Sequence, residues 1–255
     1  MSMELQPILR HRVAAMGQTS NMKIKILASG STGNSYWISD GTTSLLLDAG
    51  IPFKSIQKGC DFNLTSLGGC LITHEHGDHA KAGTDLMRRS VDVYTSQGTA
   101  NACGWSGHRL RIVKDRETFS IGTFDVLAFD VEHDCAEPLG YVMHSKITGD
   151  KLLYLTDSFY TKYRFAGLTH ILCECNYDRE ILMGNIRSGD IEPFVAKRIM
   201  NSHMSIDTLL EMLQANDMSS VRQIYLLHIS ERNGHAENFK ERVQKLTGAE
   251  VYVCY

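Results

Sequence analysis

A chain of 255 residues with 43% hydrophobic content is long enough to bury one substantial core, and a single domain is the expectation. A net charge of −3 with a pI near 6.4 excludes a globally basic surface, so any nucleic acid has to be held by a local patch or by metal ions. No apolar run reaches the ~18 residues of a membrane span, the first 21 residues hold no signal-peptide core, and the seven cysteines include no CxxC pair, which together point to a soluble cytoplasmic protein with reduced thiols.

Met1 to Asn21 lacks strand alternation and is expected to be an extension, disordered or non-native, ahead of one hydrolase domain over 22–255. A strand begins at Lys23, in the run Ile24-Lys25-Ile26-Leu27. Ser29 to Ser35 is rich in Gly and Ser; it could cradle an anion on exposed N–H groups, but lacks the Gly-Lys-Ser/Thr ending of a phosphate loop and reads equally as a tight turn between strands. Further strands are expected at Ser44-Leu45-Leu46-Leu47, Cys70-Leu71-Ile72, Asp125 to Phe129, Leu152 to Leu155, Thr169 to Cys173 and Ile224 to Leu227. Between them, His108-Arg109-Leu110-Arg111 with Lys114 and Arg116 is the densest basic stretch, either a phosphate contact or a solvated face. Helical spacing follows Ser205, where Ile206, Leu209, Leu210 and Leu213 form a stripe, and recurs at Phe239, Val243 and Leu246 before a C-capping Gly248. Strand-rich halves with interspersed helices imply two packed sheets covered by helices, with other mixed α/β arrangements left open.

The sharpest chemical signal is Thr73-His74-Glu75-His76-Gly77-Asp78-His79, directly after the run Cys70-Leu71-Ile72. In extended backbone, residues two apart point the same way, so His74 and His76 can grip one ion together. Asp78 and His79 fall on the bend beyond, where Gly77 is expected to supply backbone freedom. His133, Asp157 and His228 each sit at or just past the end of an apolar run, and ligands gather where strand ends converge. They complete two sets: His74, His76 and His133 around one ion, Asp78, His79 and His228 around the other, with Asp157 bridging. A bridging carboxylate suits two ions about 3.5–4 Å apart. Zinc suits the histidines; manganese accepts the mixed nitrogen and oxygen donors too.

This H-x-H-x-D-H pattern with three later ligands resembles the metallo-β-lactamase superfamily, whose fold is an αββα sandwich of two facing mixed sheets. Asp48, in Leu45-Leu46-Leu47-Asp48-Ala49-Gly50, matches the superfamily's first motif, which implies a supporting and non-ligating role. Ser29 to Ser35, His133-Asp134 with Glu137-Pro138-Leu139-Gly140, Glu174-Cys175-Asn176-Tyr177-Asp178, and His228-Ile229-Ser230 with Asn233 are similar to the YycJ (WalJ) group of exonuclease-like proteins, from Met22 to about Val253. Ser202-His203-Met204-Ser205-Ile206 departs from that group's Gly-His-Leu-Ser-Asn.

The resemblance to the related tRNase Z family implies that His203 and Glu174 form a proton-donating pair, a need that phosphodiester cleavage has because an alkoxide leaves poorly until protonated. Alternation would put Cys173 and Cys175 on one face as packing thiols and Glu174 on the other. The implied function is a metal-dependent phosphodiesterase acting on nucleic acid, most of all DNA, with Asp78, His203 and Glu174 as catalytic residues. Hydrolysis of cyclic nucleotides or other small diesters, RNA processing and a metal-stabilised binding protein are the rivals.

Overall fold

The computed structural model describes Met3–Glu4 and residues 22–255. The expected extension otherwise lies outside the described residues; Met3–Glu4 pairs in parallel with Tyr163–Arg164. Besides that pair, the described strands form two mixed sheets with flanking helices, and the chain divides into two compact units.

The first unit holds residues 22–130 and 135–150 of those described. Its six-stranded sheet takes β1 (Lys23–Ala28), β2 (Ser35–Ser39), β3 (Ser44–Leu47), β4 (Leu67–Leu71), β5 (Val93–Thr95) and β6 (Leu110–Ile112) in that order. The first three are antiparallel neighbours and the rest run parallel. The β2–β3 hairpin turns at Asp40, whose Oδ1 accepts from the N–H groups of Thr42 and Thr43, both at 2.9 Å. β3 is buried along its whole length, as a strand packed on both faces should be.

Parallel neighbours need crossovers, and four short helices provide them: α1 (Phe53–Gly59), α2 (Gly77–Ala80), α3 (Gly83–Arg88) and α4 (Gln97–Ala102). None was legible as a periodic apolar stripe. Three antiparallel strands, β7 (Thr118–Ile121), β8 (Phe124–Asp130) and β9 (Leu139–Ser145), complete this unit.

The second unit holds Val131–Asp134 and Lys151–Tyr255. Here β10 (Lys151–Leu155), β11 (His170–Glu174), β12 (Gln223–Leu227) and β13 (Glu250–Val253) are all parallel neighbours. Their connections carry α5 (Arg179–Ser188), α6 (Pro193–Ser202), α7 (Ile206–Gln214) and α8 (Ala236–Thr247).

The two anticipated helices, α7 and α8, form on the expected residues. Ser205 caps α7 by accepting from the Thr208 N–H, and Ile206, Leu209 and Leu213 are buried on its inner face with Met212. α8 ends at Gly248 in the left-handed conformation, but Leu246 is exposed, so the apolar face there is Phe239 and Val243. α5 and α6 are additions whose punctuation was present: Asp178 caps α5, Gly189 ends it left-handed, and Pro193 opens α6. No helix among the described residues is long and apolar enough to cross a membrane.

Candidate metal centre

In the first unit, Leu47 of β3 pairs with Leu71 of β4, so the two strands end side by side. Asp48 leaves β3 at a φ of 54°, a conformation costly for a non-glycine residue, and is fully buried. What holds it there is a dense set of hydrogen bonds. Its Oδ1 accepts from the Thr73 N–H at 2.8 Å, and its Oδ2 accepts from His79 Nδ1 at 2.7 Å and the Thr73 hydroxyl at 2.9 Å.

Asp48 thus keeps the His79 proton on Nδ1, the supporting position expected of it, and makes Nε2 the acceptor nitrogen, which takes the Asn34 Nδ2–H at 3.1 Å and is the atom that would turn to a cation. Nε2 of His79 lies 3.7 Å from Asp78 Oδ2. The Thr73 hydroxyl, donating to Asp48, accepts from His74 Nδ1 at 3.0 Å, which leaves His74 Nε2 facing His76 Nδ1 at 3.0 Å. Two imidazole nitrogens on one zinc at ~2.0–2.1 Å stand roughly 3.3 Å apart, so this donor pair fits an ion with little movement.

The glycine that the metal loop needs is Gly50. A Cβ there would lie 1.6 Å from the Asp78 carbonyl oxygen. That carbonyl accepts from the Asn34 N–H at 2.8 Å, and the His79 carbonyl from Ala49 at 2.7 Å, so the loop is pinned by backbone on the Asn34 and Gly50 segments. The Ser29 to Ser35 stretch therefore works as a turn that seats Asp78, with Asn34 Oδ1 closing it on the Gly30 N–H at 3.0 Å. Gly77, by contrast, opens α2 without a positive φ, and a Cβ on it would meet open space, which corrects the expectation that its freedom makes the bend.

The second unit gathers the other donors at the C-terminal ends of parallel strands. Leu155 pairs with Cys173 and Glu174 with Leu227, so β10, β11 and β12 finish nearly level, and Asp157, Glu174 and His228 stand at their ends. Asp157 and His228 leave their strands at positive φ, 45° and 52°. Asp157 Oδ1 is 2.8 Å from His228 Nδ1, and its Oδ2 is 3.8 Å from His133 Nε2. His133 donates from Nδ1 to the Ser202 carbonyl at 3.0 Å, which leaves its Nε2 for a cation. One donor atom each from Asp157, Glu174, His203 and His228 lies within 4.8 Å of the others.

Glu174 is fully buried. Its Oε1 is 2.6 Å from His203 Nδ1 and 3.2 Å from His228 Nδ1, while Oε2 accepts from the N–H groups of Ser158 and Met204, both at 3.2 Å. Burial pushes the carboxyl up, but His203 and His228 outweigh it and hold the pKa below the usual value. Burial disfavours a charged His203, yet Glu174 beside it raises the imidazole above its ordinary range. His228 is likewise raised by Asp157 and Glu174 against burial, so these carboxylates call for positive charge between them. His133, dominated by burial, is lowered towards the neutral form that ligates metal.

Cys173 and Cys175 are buried free thiols, in the packing role expected of them. The arginines of the basic stretch have acidic partners. Arg109 and Arg111 both reach Asp92, at 3.0 and 2.9 Å, and Arg116 pairs with Asp115 at 3.2 Å. A single carboxylate thus answers two guanidiniums, and Asp92, despite burial, is held below the usual carboxylate range by them. Sequence reasoning missed Thr73, which sits between Asp48 and His74. Its place directly before the first ligand was the signal.

The family model described as the β-lactamase superfamily domain matches residues 43–229. Exodeoxyribonuclease YycJ of Bacillus anthracis is 30% identical over 235 residues, with 85% of each chain covered. Exodeoxyribonuclease WalJ of Streptococcus pneumoniae is 32% identical over 237 residues, covering 86% of this chain and 84% of the relative. Among solved structures, the metallo-β-lactamase fold protein YhfI from Bacillus subtilis superposes with a TM-score of 0.68 at 14% identity, over 91% of this chain and 95% of that one. At that identity the likeness speaks for the fold alone.

Proposed function

This chain belongs to the β-lactamase superfamily, and from that premise we propose that it is a dinuclear metal-dependent phosphodiesterase that degrades DNA from an end. Relatives named as exodeoxyribonucleases support the substrate, and the donor chemistry supports the metal. In this reading His74, His76 and His133 would hold one ion, Asp78, His79 and His228 would hold the other, and Asp157 would serve as a ligand to either. Zinc or manganese fits this mixture of imidazole and carboxylate. A bound pair of such ions supplies Lewis acidity, bringing the pKa of water towards neutrality and offsetting charge on the phosphoryl oxygens.

The observation that carries the reading is the His203–Glu174 pair at 2.6 Å. His203 protonates the departing oxygen from its Nε2, and Glu174, bound through Nδ1, fixes the ring and favours its protonated form. A phosphodiester needs such a donor; a thioester, with its better leaving group, has less use for one. The seven free thiols support a reducing, cytoplasmic setting.

The test is a cleavage panel of end-labelled single- and double-stranded DNA and RNA, with cyclic nucleotides alongside, on protein whose metal content has been measured. Stepwise loss of label from DNA is the expected result. Metal-loaded protein that leaves every diester intact with both zinc and manganese would sink the enzymatic proposal in favour of a metal-stabilised binding protein.

A further inference from the structure

Asp157 is followed by Ser158-Phe159-Tyr160-Thr161-Lys162-Tyr163-Arg164, a run whose aromatic side chains have no part in the chemistry above. Its backbone is tied to the site. The Ser158 N–H donates to Glu174 Oε2 at 3.2 Å, the Ser158 hydroxyl donates to the Tyr160 carbonyl at 2.7 Å, and the Phe159 N–H donates to the carbonyl of Glu132, the neighbour of His133, at 3.4 Å. Ser158, Thr161 and Tyr163 are buried, so the run is anchored inside at three points. Even so, Phe159 is 39% and Tyr160 47% exposed. These are two adjacent aromatic side chains on a tied backbone, two and three residues beyond a proposed metal ligand, each with more than a third of its surface open.

Two cations continue the run. The Lys162 ammonium lies 5.1 Å from the Tyr163 ring centroid, and Arg164 is exposed. Exposed rings backed by basic residues are the combination with which proteins hold single-stranded nucleic acid, because every base has a face to stack and every linkage a charge to neutralise. A duplex hides those base faces. A purely apolar partner would have no use for the cations.

We propose that Phe159 and Tyr160 form a stacking platform for the unpaired bases of a nucleic-acid strand entering the site, with Lys162 and Arg164 serving its phosphates. The substrate class is therefore a single strand or a frayed end, and the inference rests on the phosphodiesterase reading for its occupant.

The test is fluorescence anisotropy with the metal-loaded full chain and a labelled single-stranded phosphorothioate oligonucleotide, chosen because it resists cleavage. Phe159→Leu with Tyr160→Leu weakens binding by at least about 10-fold, each lost stacking contact being worth about 5- to 150-fold, whereas Phe159→Trp with Tyr160→Trp restores it. An abasic version of the same oligonucleotide binds the wild type and the leucine variant alike. Equal affinity of wild type and leucine variant for the base-bearing strand overturns the proposal, as does an equal loss with the abasic strand. Hydrolysis of bis(p-nitrophenyl) phosphate by the wild type is measured separately. A protein that fails there but keeps the base-dependent binding retains the platform and loses the phosphodiesterase reading.

Discussion

Replacing His203 with alanine distinguishes a proton donor from a side chain that merely fills space. The ring is held on one side by Glu174 at 2.6 Å and packs near His228, with ring centroids 5.2 Å apart. Its Nε2 is the atom left for a leaving group. Losing a general acid slows the step about 10²–10⁴-fold, or roughly 3–5 kcal/mol of barrier. That full effect is expected on a natural DNA linkage, whose alkoxide needs a proton. A p-nitrophenyl diester leaves as a stable phenolate, so on it the same variant loses far less. The measurement is kcat for both substrates, wild type and His203→Ala, at equal metal occupancy. The natural-to-activated ratio falls by the loss on DNA divided by the smaller loss on the activated diester, about 10-fold to 10⁴-fold, if His203 is the acid. A ratio that stays the same refutes the assignment and moves the donor elsewhere. Glu174→Gln follows the same pattern at smaller amplitude, because the amide oxygen still accepts from Ser158 and Met204 while the charge that favours protonated His203 is gone.

Asp157→Ala lowers bound metal, read by elemental analysis, and abolishes hydrolysis; normal occupancy with full activity would defeat the dinuclear assignment. Gly50→Ala forces a Cβ against the Asp78 carbonyl, and overpacking of this kind costs about 1–3 kcal/mol, a fall of about 3–10 °C in Tm by calorimetry, with reduced metal content. Gly77→Ala meets open space and shifts Tm by less than about 2 °C; the reverse order of these two glycine variants would contradict the account of the loop. Arg111→Ala leaves the salt dependence of DNA binding unchanged if its guanidinium serves Asp92, which it shares with Arg109; a shallower log–log slope would show a phosphate contact.

The amino-acid sequence by itself carried the chemistry. His74, His76, Asp78 and His79 are close because they are close in the chain, and a two-residue period on extended backbone needs no tertiary contact to bring His74 and His76 together. The apolar runs, the α7 stripe and the Gly248 cap were legible for the same local reason. The short helices of the first unit were not, because four to seven residues carry no periodic stripe, and α5 and α6 carried only their caps.

The tertiary structure decided what depends on residues far apart in the chain. Asp48 meets His79 across 31 positions and Glu174 meets His203 across 29, contacts set by which strands lie side by side and in what register. It decided that Gly50 rather than Gly77 is the glycine the loop requires, that Arg109 and Arg111 answer to Asp92, and that Asp48, Asp157 and His228 sit at strained φ angles. Strand pairing is selected by burial summed over whole sheets, so its register, and the strain it can hold at three strand ends, is a property of the assembled core and of no single segment.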